Sequence, residues 1–565
     1  MISQAEEFAV RVVATGGSGL GRNGMEMAIR RRLRIELLGI DCDPWRLCLA
    51  AFLPGILFSA VGCSGSGTES RESSSGPRPS AVGKSAKAES PELTAQVEAF
   101  CGACHGVPNP QSFPRSAWHE EVNKGFNFYF ESGRSDLKPP PMVDVVNWFS
   151  SRAPKELPIP VQPDLPTSPK VSFRLTRLAS ADNLGQSNAA VASLAWRPLA
   201  KGKSEELVYC DMRMGGVGAI QPAVGPSSLR KLAQLENPCH AEICDLDQDG
   251  FTDLIVADLG TFLPQDHAKG RVLWLRGTSA GEYEHHVLLA DVGRVADVEP
   301  ADFDGDGDLD LVVAVFGWRQ TGQVVLLENL STKPGEVSFQ KREIDPRHGA
   351  IHVPVADLDG DGRLDFVALF SQEHESIEVF LNQGEFRFRR EVVYAGGDPA
   401  HGSTGIQLVD FDRDGDLDLL ATNGDMFDTF YVKPYHGVRW LENTGGHPWK
   451  NHFLAELPGV HKALSGDVDG DGDLDVVAAV SIPETLASKQ VRPDFDAVIW
   501  LEQISPGEFQ RHSLLKGHGR FPSMELADFD GDGDLDVSIG SMRDDSQTPS
   551  IGVFWNDRIS NATGG

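Results

Sequence analysis

Six copies of one aspartate ladder, Asp-x-Asp-x-Asp-Gly-x-x-Asp followed by an apolar run, dictate what this 565-residue chain can fold into. They begin at Asp245, Asp302, Asp357, Asp410, Asp467 and Asp528, at intervals of 57, 55, 53, 57 and 61 residues. A regular period of this size is the signature of a repeat architecture, in which each unit buries its apolar face against the next.

The ladder has the chemistry of a calcium site. Calcium takes six to eight oxygen ligands, and alternate carboxylates converge when the chain turns tightly. A glycine at the sixth place (Gly307 in the second copy) permits that turn. Carboxylates at the first, third, fifth and ninth places, with the main-chain carbonyl of the seventh, form the expected ligand set. The first copy offers Asp245, Asp247, Asp249, Phe251 and Asp253, and the second Asp302, Asp304, Asp306, Asp308 and Asp310. The third offers Asp357, Asp359, Asp361, Arg363 and Asp365, and the fourth Asp410, Asp412, Asp414, Asp416 and Asp418. The fifth offers Asp467, Asp469, Asp471, Asp473 and Asp475, and the sixth Asp528, Asp530, Asp532, Asp534 and Asp536. The mixture at the seventh place fits a main-chain ligand. An EF-hand would carry glutamate at the twelfth place, where this chain is apolar (Val313). The flanks alternate as strands, so each loop joins an antiparallel pair. A metal-free acidic turn is the competing reading, but so much like charge in nine residues is destabilising without a cation.

The repeats resemble the FG-GAP or VCBS repeats, blades of β-propellers similar to those of integrin α chains. The resemblance covers about 170 to 557 and adds a shared later strand, as in Val324-Val-Leu-Leu-Glu-Asn329 and Gly437-Val-Arg-Trp-Leu-Glu-Asn443. It implies four short strands per blade. Before the first ladder, Ala190–Trp196 and Leu207–Asp211 match the strands that flank a ladder, with no aspartates between them. They read as a blade without calcium, which makes seven. The last blade lacks an outer strand after Trp555, and an orphan strand, Val171–Arg177, can pair there and close the ring. The expected fold is therefore mainly β: a seven-bladed calcium-binding propeller over 171–557, preceded by a small α-helical domain.

That domain, 90–158, opens on Ser90-Pro91-Glu92, a capping serine with proline at the first helical position. Leu93, Val97 and Phe100 form an apolar stripe that runs into Cys101-Gly-Ala-Cys104-His105. Two thiols three residues apart suit the two vinyl groups of one porphyrin edge, and the adjacent imidazole suits the iron. The expectation is covalent haem c. A redox dithiol or half a zinc site are the competing readings, and neither has its usual surroundings. Met142, after Pro139-Pro140-Pro141, is the natural opposite ligand; His119 and an open sixth position stay as alternatives. The order resembles class I cytochromes c, which implies a methionine loop before a C-terminal helix.

Arginines 30, 31, 32, 34 and 46 precede an apolar run of 16 residues, Leu47 to Gly62. This suits a secretory segment over 1–63 and resembles a lipoprotein signal with Cys63 as the lipidated residue. Residues 64–89 are rich in Ser, Gly, Lys and Pro and read as a disordered linker. The mature chain is expected outside the cytoplasm, in the periplasm or at the cell surface, touching a membrane only through a lipid on Cys63. The formal charge of −31 argues against nucleic acid. Of that charge, 28 aspartates lie in the ladders, and up to six calcium ions would offset +12. Cys210, Cys239 and Cys244 allow at most one disulfide, with free thiols the equal alternative.

The rim opposite the ladders receives the starts of the inner strands, which carry His240, Arg294, His352, His401, His461 and Arg520. Long loops, Asp425–His436 and Ile482–Phe495, overhang it. His240, His352, His401, His461 and Arg520 are the candidate ligand mouth for an anionic or sugar-like molecule. The competing reading is that they satisfy backbone carbonyls between blades. Two functions follow. One is a monomeric electron-transfer and binding module that docks a redox partner protein or an extracellular glycan or protein. The other is a haem-coupled dehydrogenase acting on a small carbohydrate-like substrate in the mouth. No catalytic residue is identified.

Overall fold

Each ladder aspartate at the ninth place opens a strand, and the preceding inner strand pairs with that strand in antiparallel register. In the second copy Ala301 faces Asp310 and Val295 faces Val315. Repeated around the chain, this hairpin builds seven sheets of the computed structural model, which describes residues 90–158, 171–179, 189–427, 429–483, 494–517, 519–542 and 550–558. All of them belong to one compact unit, 81–565. The expected export segment (1–63) and linker (64–89) lie outside the described residues.

Blade 1 comprises Val191–Pro198, Glu205–Asp211, Gly216–Ile220 and Arg230–Gln234, and it has no ladder. Blade 2 begins with Pro238–Cys244, blade 3 with Val295–Ala301, blade 5 with Ser403–Val409 and blade 6 with Val460–Gly466. In blade 4 the inner strand is split into Ala350–His352 and Val355–Ala356, because Pro354 has no N–H to give the ladder of hydrogen bonds. Blade 7 has three strands of its own, Ser523–Ala527, Asp536–Gly540 and Ile551–Arg558. Its fourth is Val171–Ala179 from the start of the ring, with Val171 opposite Arg558 and Phe173 opposite Asn556. The inner strands touch in chain order and the seventh touches the first. The protein is a seven-bladed β-propeller with the closure read from the sequence.

The second strand of each ladder blade is buried on both faces. Asp310-Leu-Val-Val-Ala-Val315 is buried at every position, because neighbouring blades cover both sides. Cys239 and Cys244 lie on one inner strand. An odd separation places them on opposite faces about 16 Å apart, and both thiols are free, as is that of buried Cys210.

Ahead of the ring stand three helices, α1 (Pro91–Cys101), α2 (Trp118–Glu131) and α3 (Met142–Arg152). Ser90 Oγ caps α1 by accepting from Leu93 N at 3.1 Å. The stripe Leu93, Val97 and Phe100 packs with Trp118, Val122, Phe126, Val145 and Phe149. Trp118 stacks on Phe149 at 4.2 Å, and Trp148 Nε1 donates to Thr94 Oγ1 at 2.9 Å, which joins α3 to α1. No described helix is long and apolar enough to cross a membrane.

Candidate functional site

The ladders share one construction. The sixth-place glycine has φ between +86° and +102° in all six, a region open to glycine at little cost. The loop wraps the first carboxylate: Asp302 Oδ1 accepts from Gly305 N at 2.7 Å and Oδ2 from Gly307 N at 3.0 Å. This gathers the carboxylates of Asp302, Asp304 and Asp306, and those of Asp357, Asp359 and Asp361, within metal-sharing distance. In the first copy the gathered set is Asp245, Asp247 and Asp253. The ninth aspartates are at most 1% exposed and do a second job. Asp310 accepts from Phe303 N at 3.0 Å within the loop and from Asn329 N at 2.8 Å at the end of the third strand. Asp253, Asp365, Asp418, Asp475 and Asp536 repeat the pattern.

A residue at or near the end of the third strand returns the favour. Asn329 Nδ2 donates to Leu309 O at 3.0 Å, and Asn382, Asn443, Gln503 and Asn556 do likewise in their blades. Asn382 also reaches Phe303 O at 2.8 Å, tying blade 4 to the ladder of blade 3. The repeated Leu-Glu-Asn was visible in the sequence; its clamping role was not read from it.

The donor set fits a hard divalent cation. Oδ1 of Asp245, Asp308, Asp410, Asp467 and Asp473 is buried with no hydrogen-bonding partner among the described residues. Burial, then the charges of Asp306, Asp304 and Asp302, pushes Asp308 up to about 6. Burial lifts Asp310 to about 7. A cation among these groups would reverse both shifts. The copies are not equivalent. Arg276 donates to Asp247 at 2.6 Å and to Asp249 at 2.7 Å, and Arg363 holds Asp361 in the third copy.

Cys101 is half-buried at the end of α1 and packs against the helical core, as do Val107, Tyr129, Leu137 and Met142. Burial raises its thiol to about 11. Beyond the helix end Cys104 is exposed and His105 half-buried, and Cys104 Sγ accepts from Arg134 Nη1 at 2.9 Å. Two free thiols and an adjacent half-buried imidazole fit covalent haem attachment. Met142 heads α3 and packs against the same helical core, whereas His119 is exposed on α2.

The helices dock on the rim opposite the ladders. Ser112 donates to Asp398 and accepts from Tyr435 OH at 3.1 Å. Phe113 meets Tyr431 edge-on at 5.9 Å, with Lys433 Nζ 5.2 Å from its centroid. Gly106, next to His105, packs so tightly that a Cβ there would stand 2.5 Å from Gly397 O. Arg319 of blade 3 lies 4.1 Å over the ring of Phe128. The partners Gly397, Asp398, Tyr431 and Tyr435 belong to loops that lead into the inner and third strands of blade 5, on the mouth rim. No sequence pattern announced this contact.

The six mouth residues separate into three kinds. His240 and His352 converge on buried Asp297, at 3.2 and 3.5 Å. Burial alone would lower His240, but Asp297 and then Glu242 outweigh it and raise the imidazole to about 10. His401 and His461 belong to an aromatic cluster with Tyr435, His436 and Phe427. His401 stacks parallel to Tyr435 at 6.1 Å, and burial, with Arg439 and Lys433 nearby, lowers it to about 3. His436 is wholly buried with neither ring nitrogen hydrogen-bonded among the described residues. Arg294 has the structural role, giving Nη2 to Phe262 O at 3.4 Å, and the backbone of Arg520 pairs with Ser481. A recess of about 340 Å³ by Arg197, Lys201 and Phe251 lies on the ladder rim, away from this chemistry.

The model of the FG-GAP-like repeat matches residues 245–313 and 357–421, two spans that each contain two ladders. The chain thus carries FG-GAP repeats on a seven-bladed propeller. Cartilage acidic protein 1 of Mus musculus is 28% identical over 183 residues, covering 31% of this chain and 26% of that protein. Its Homo sapiens counterpart is 27% identical over the same length. Aldos-2-ulose dehydratase of Phanerodontia chrysosporium is 24% identical over 368 residues, 58% of this chain and 39% of that enzyme. The chain therefore spans between a quarter and two-fifths of the length of these curated relatives. A chain from the crystal structure of BBS1N in complex with ARL6DN, soaked with lead, aligns with a TM-score of 0.41 at 10% identity, covering 70% of this chain and 98% of that one.

Proposed function

We propose that this protein is an exported electron-transfer module whose calcium-stiffened propeller is a binding platform, with haem c held by Cys101, Cys104 and His105 at the edge of the mouth. The observation that carries this reading is the docking of the three helices on the mouth rim, with Gly106 against Gly397. A ligand or partner seated at the mouth would then lie beside the redox group. Cys101 and Cys104 would form the thioether links, His105 would ligate the iron, and Met142, which packs against the same helical core as Cys101, is the sixth ligand we favour. The haem would supply one-electron exchange. The propeller's own residues bind and orient: the His240–Asp297–His352 relay holds charge on the channel wall, and Tyr435, His401 and Lys433 frame the rim beside the helices. The ladders would fix the opposite rim with up to six calcium ions.

A second reading, a haem-coupled dehydrogenase, is favoured by the buried histidine–tyrosine cluster of the mouth and by the similarity to an aldos-2-ulose dehydratase, which suggests a sugar-like ligand. One experiment separates them. The full chain is matured with haem, its reduced spectrum recorded, and a panel of aldoses, uloses and polyols tested for anaerobic haem reduction. Reduction by one sugar class supports the dehydrogenase. Binding without reduction supports the platform. A chain that acquires no covalent haem under maturation conditions overturns both.

A further inference from the structure

The mouth rim of blade 4 carries a side-chain cluster that the haem and the ladders leave unused. The loop before its inner strand presents His348, and the loop joining its second and third strands presents Glu373 and His374. Their donor atoms lie within metal-sharing distance of one another. We propose that His348, Glu373 and His374 are the protein ligands of a first-row divalent transition-metal ion of the zinc type, distinct in chemistry from the all-oxygen ladders.

Four observations carry this assignment. The Nε2 atom of His374 is wholly buried and has no hydrogen-bonding partner among the described residues. His348 Nε2 is likewise buried and lies 2.9 Å from Glu373 Oε1, its ion-pair partner within the cluster. That separation is close to the ~3.3 Å between neighbouring ligands of a tetrahedral ion with bonds of about 2.0–2.1 Å. The two imidazole rings are splayed by 53° with centroids 5.2 Å apart, so they adjoin without stacking.

The backbone beneath the cluster is strained and braced. Gln372 and Glu375, on either side of the pair, have φ of +59° and +43°, a region that costs a non-glycine residue on the order of 1–3 kcal/mol. Such a conformation persists only where the surroundings enforce it. Here Ser371 N donates to Gly349 O at 2.8 Å, Gly349 N to Phe316 O at 2.9 Å, and Glu375 accepts from Ser403 N at 2.8 Å. The two ligand loops are thereby tied to each other and to blades 3 and 5. Phe370 walls one side, edge-on to His374 at 6.3 Å.

Two imidazoles and one carboxylate favour zinc and its neighbours over calcium or magnesium, and three protein ligands leave a coordination position for water or a ligand oxygen. A second cluster, His240, Glu242 and Glu299, is a weaker candidate, because His240 Nε2 is also engaged by Asp297, which lies outside it.

The test uses the full chain, stripped with chelator and returned to millimolar calcium so that the ladders do not compete. Zinc is then added alone, and the metal retained after gel filtration is counted by elemental analysis. The expected result is one zinc per chain, with affinity falling at least about a hundredfold in His374→Ala and in His348→Ala while melting in the absence of zinc stays unchanged. Should either alanine variant fail to fold, the cobalt-loaded wild type is read at the cobalt K-edge, where scattering from two imidazoles is expected. Retention of zinc by folded His374→Ala at wild-type affinity, or a cobalt spectrum without imidazole scattering, overturns the assignment.

Discussion

Removing the side chain of Asp310 separates a structural role of the ladder's ninth place from a role as metal ligand. Asp310 is 1% exposed and accepts from Phe303 N and Asn329 N. Asp310→Ala leaves both donors buried without an acceptor, at about 1–3 kcal/mol each, or about 2–6 kcal/mol together. Asp310→Asn keeps one acceptor oxygen and turns an N–H toward the other donor, so about half of that loss is expected. The experiment belongs at pH 8, because burial raises the Asp310 carboxyl to about 7 and only the ionised form accepts fully on both oxygens. A closed ring of seven blades need not unfold in one step, so a local readout is preferable to a global midpoint. Amide hydrogen exchange at Phe303 and Asn329, in chelator, should accelerate about 5-fold to 150-fold at each site in the alanine variant. If exchange at both amides stays within twofold of wild type in chelator, and differs only when calcium is present, the root-pin reasoning is wrong.

Three further outcomes follow from the geometry. Phe113 is 4% exposed between Trp118 and Tyr431, so Phe113→Ala should cost about 3–5 kcal/mol and speed proteolysis within 90–158 about a hundredfold or more; an unchanged rate contradicts the docked module. A Cβ at Gly307 meets nothing within 4 Å, yet φ is +97°, so Gly307→Ala should cost about 1–2 kcal/mol through backbone strain alone and lower the melting temperature measurably. Burial raises Glu525 on the channel wall to about 7, against Lys462 and Arg197, which lower it. A folded value above the unfolded one means that its stabilising protonation is complete below about pH 4.5 and is lost as pH rises through 7. Denaturation of Glu525→Gln should therefore show a shallower fall in stability between pH 5 and 7 than wild type, and parallel curves would refute it.

The propeller was legible because its information is periodic. Glycine at a fixed place in an aspartate ladder forces one hairpin, and six hairpins at near-constant spacing leave few ways to arrange the strands. The blade without a ladder and the closing strand Val171–Ala179 followed from the same pattern, since an outer strand missing at Trp555 had to be supplied from elsewhere. What escaped the sequence is non-periodic. Arg276 reaches the first ladder from the third strand of its own blade, 29 residues from Asp247, and no spacing rule flags it. His348 and the Glu373–His374 pair come from separate loops and meet only through the fold. The seat of the helices on the mouth depends on Phe113, Tyr431 and Tyr435 matching in shape, which composition does not encode. The capping of α1 by Ser90 was readable because it is local.

The measurement closest to the heart of this account is a count of bound calcium. The full chain is dialysed to equilibrium against micromolar calcium, the retained ions are counted, and the melting temperature is followed as chelator is added. The account predicts at least four tightly held ions, in the copies whose seventh place is an aspartate (Asp308, Asp416, Asp473 and Asp534). Weaker occupancy is expected where Arg276 and Arg363 sit among the carboxylates, together with a large fall in melting temperature on chelation. A chain that retains no calcium and melts identically with and without chelator would contradict it.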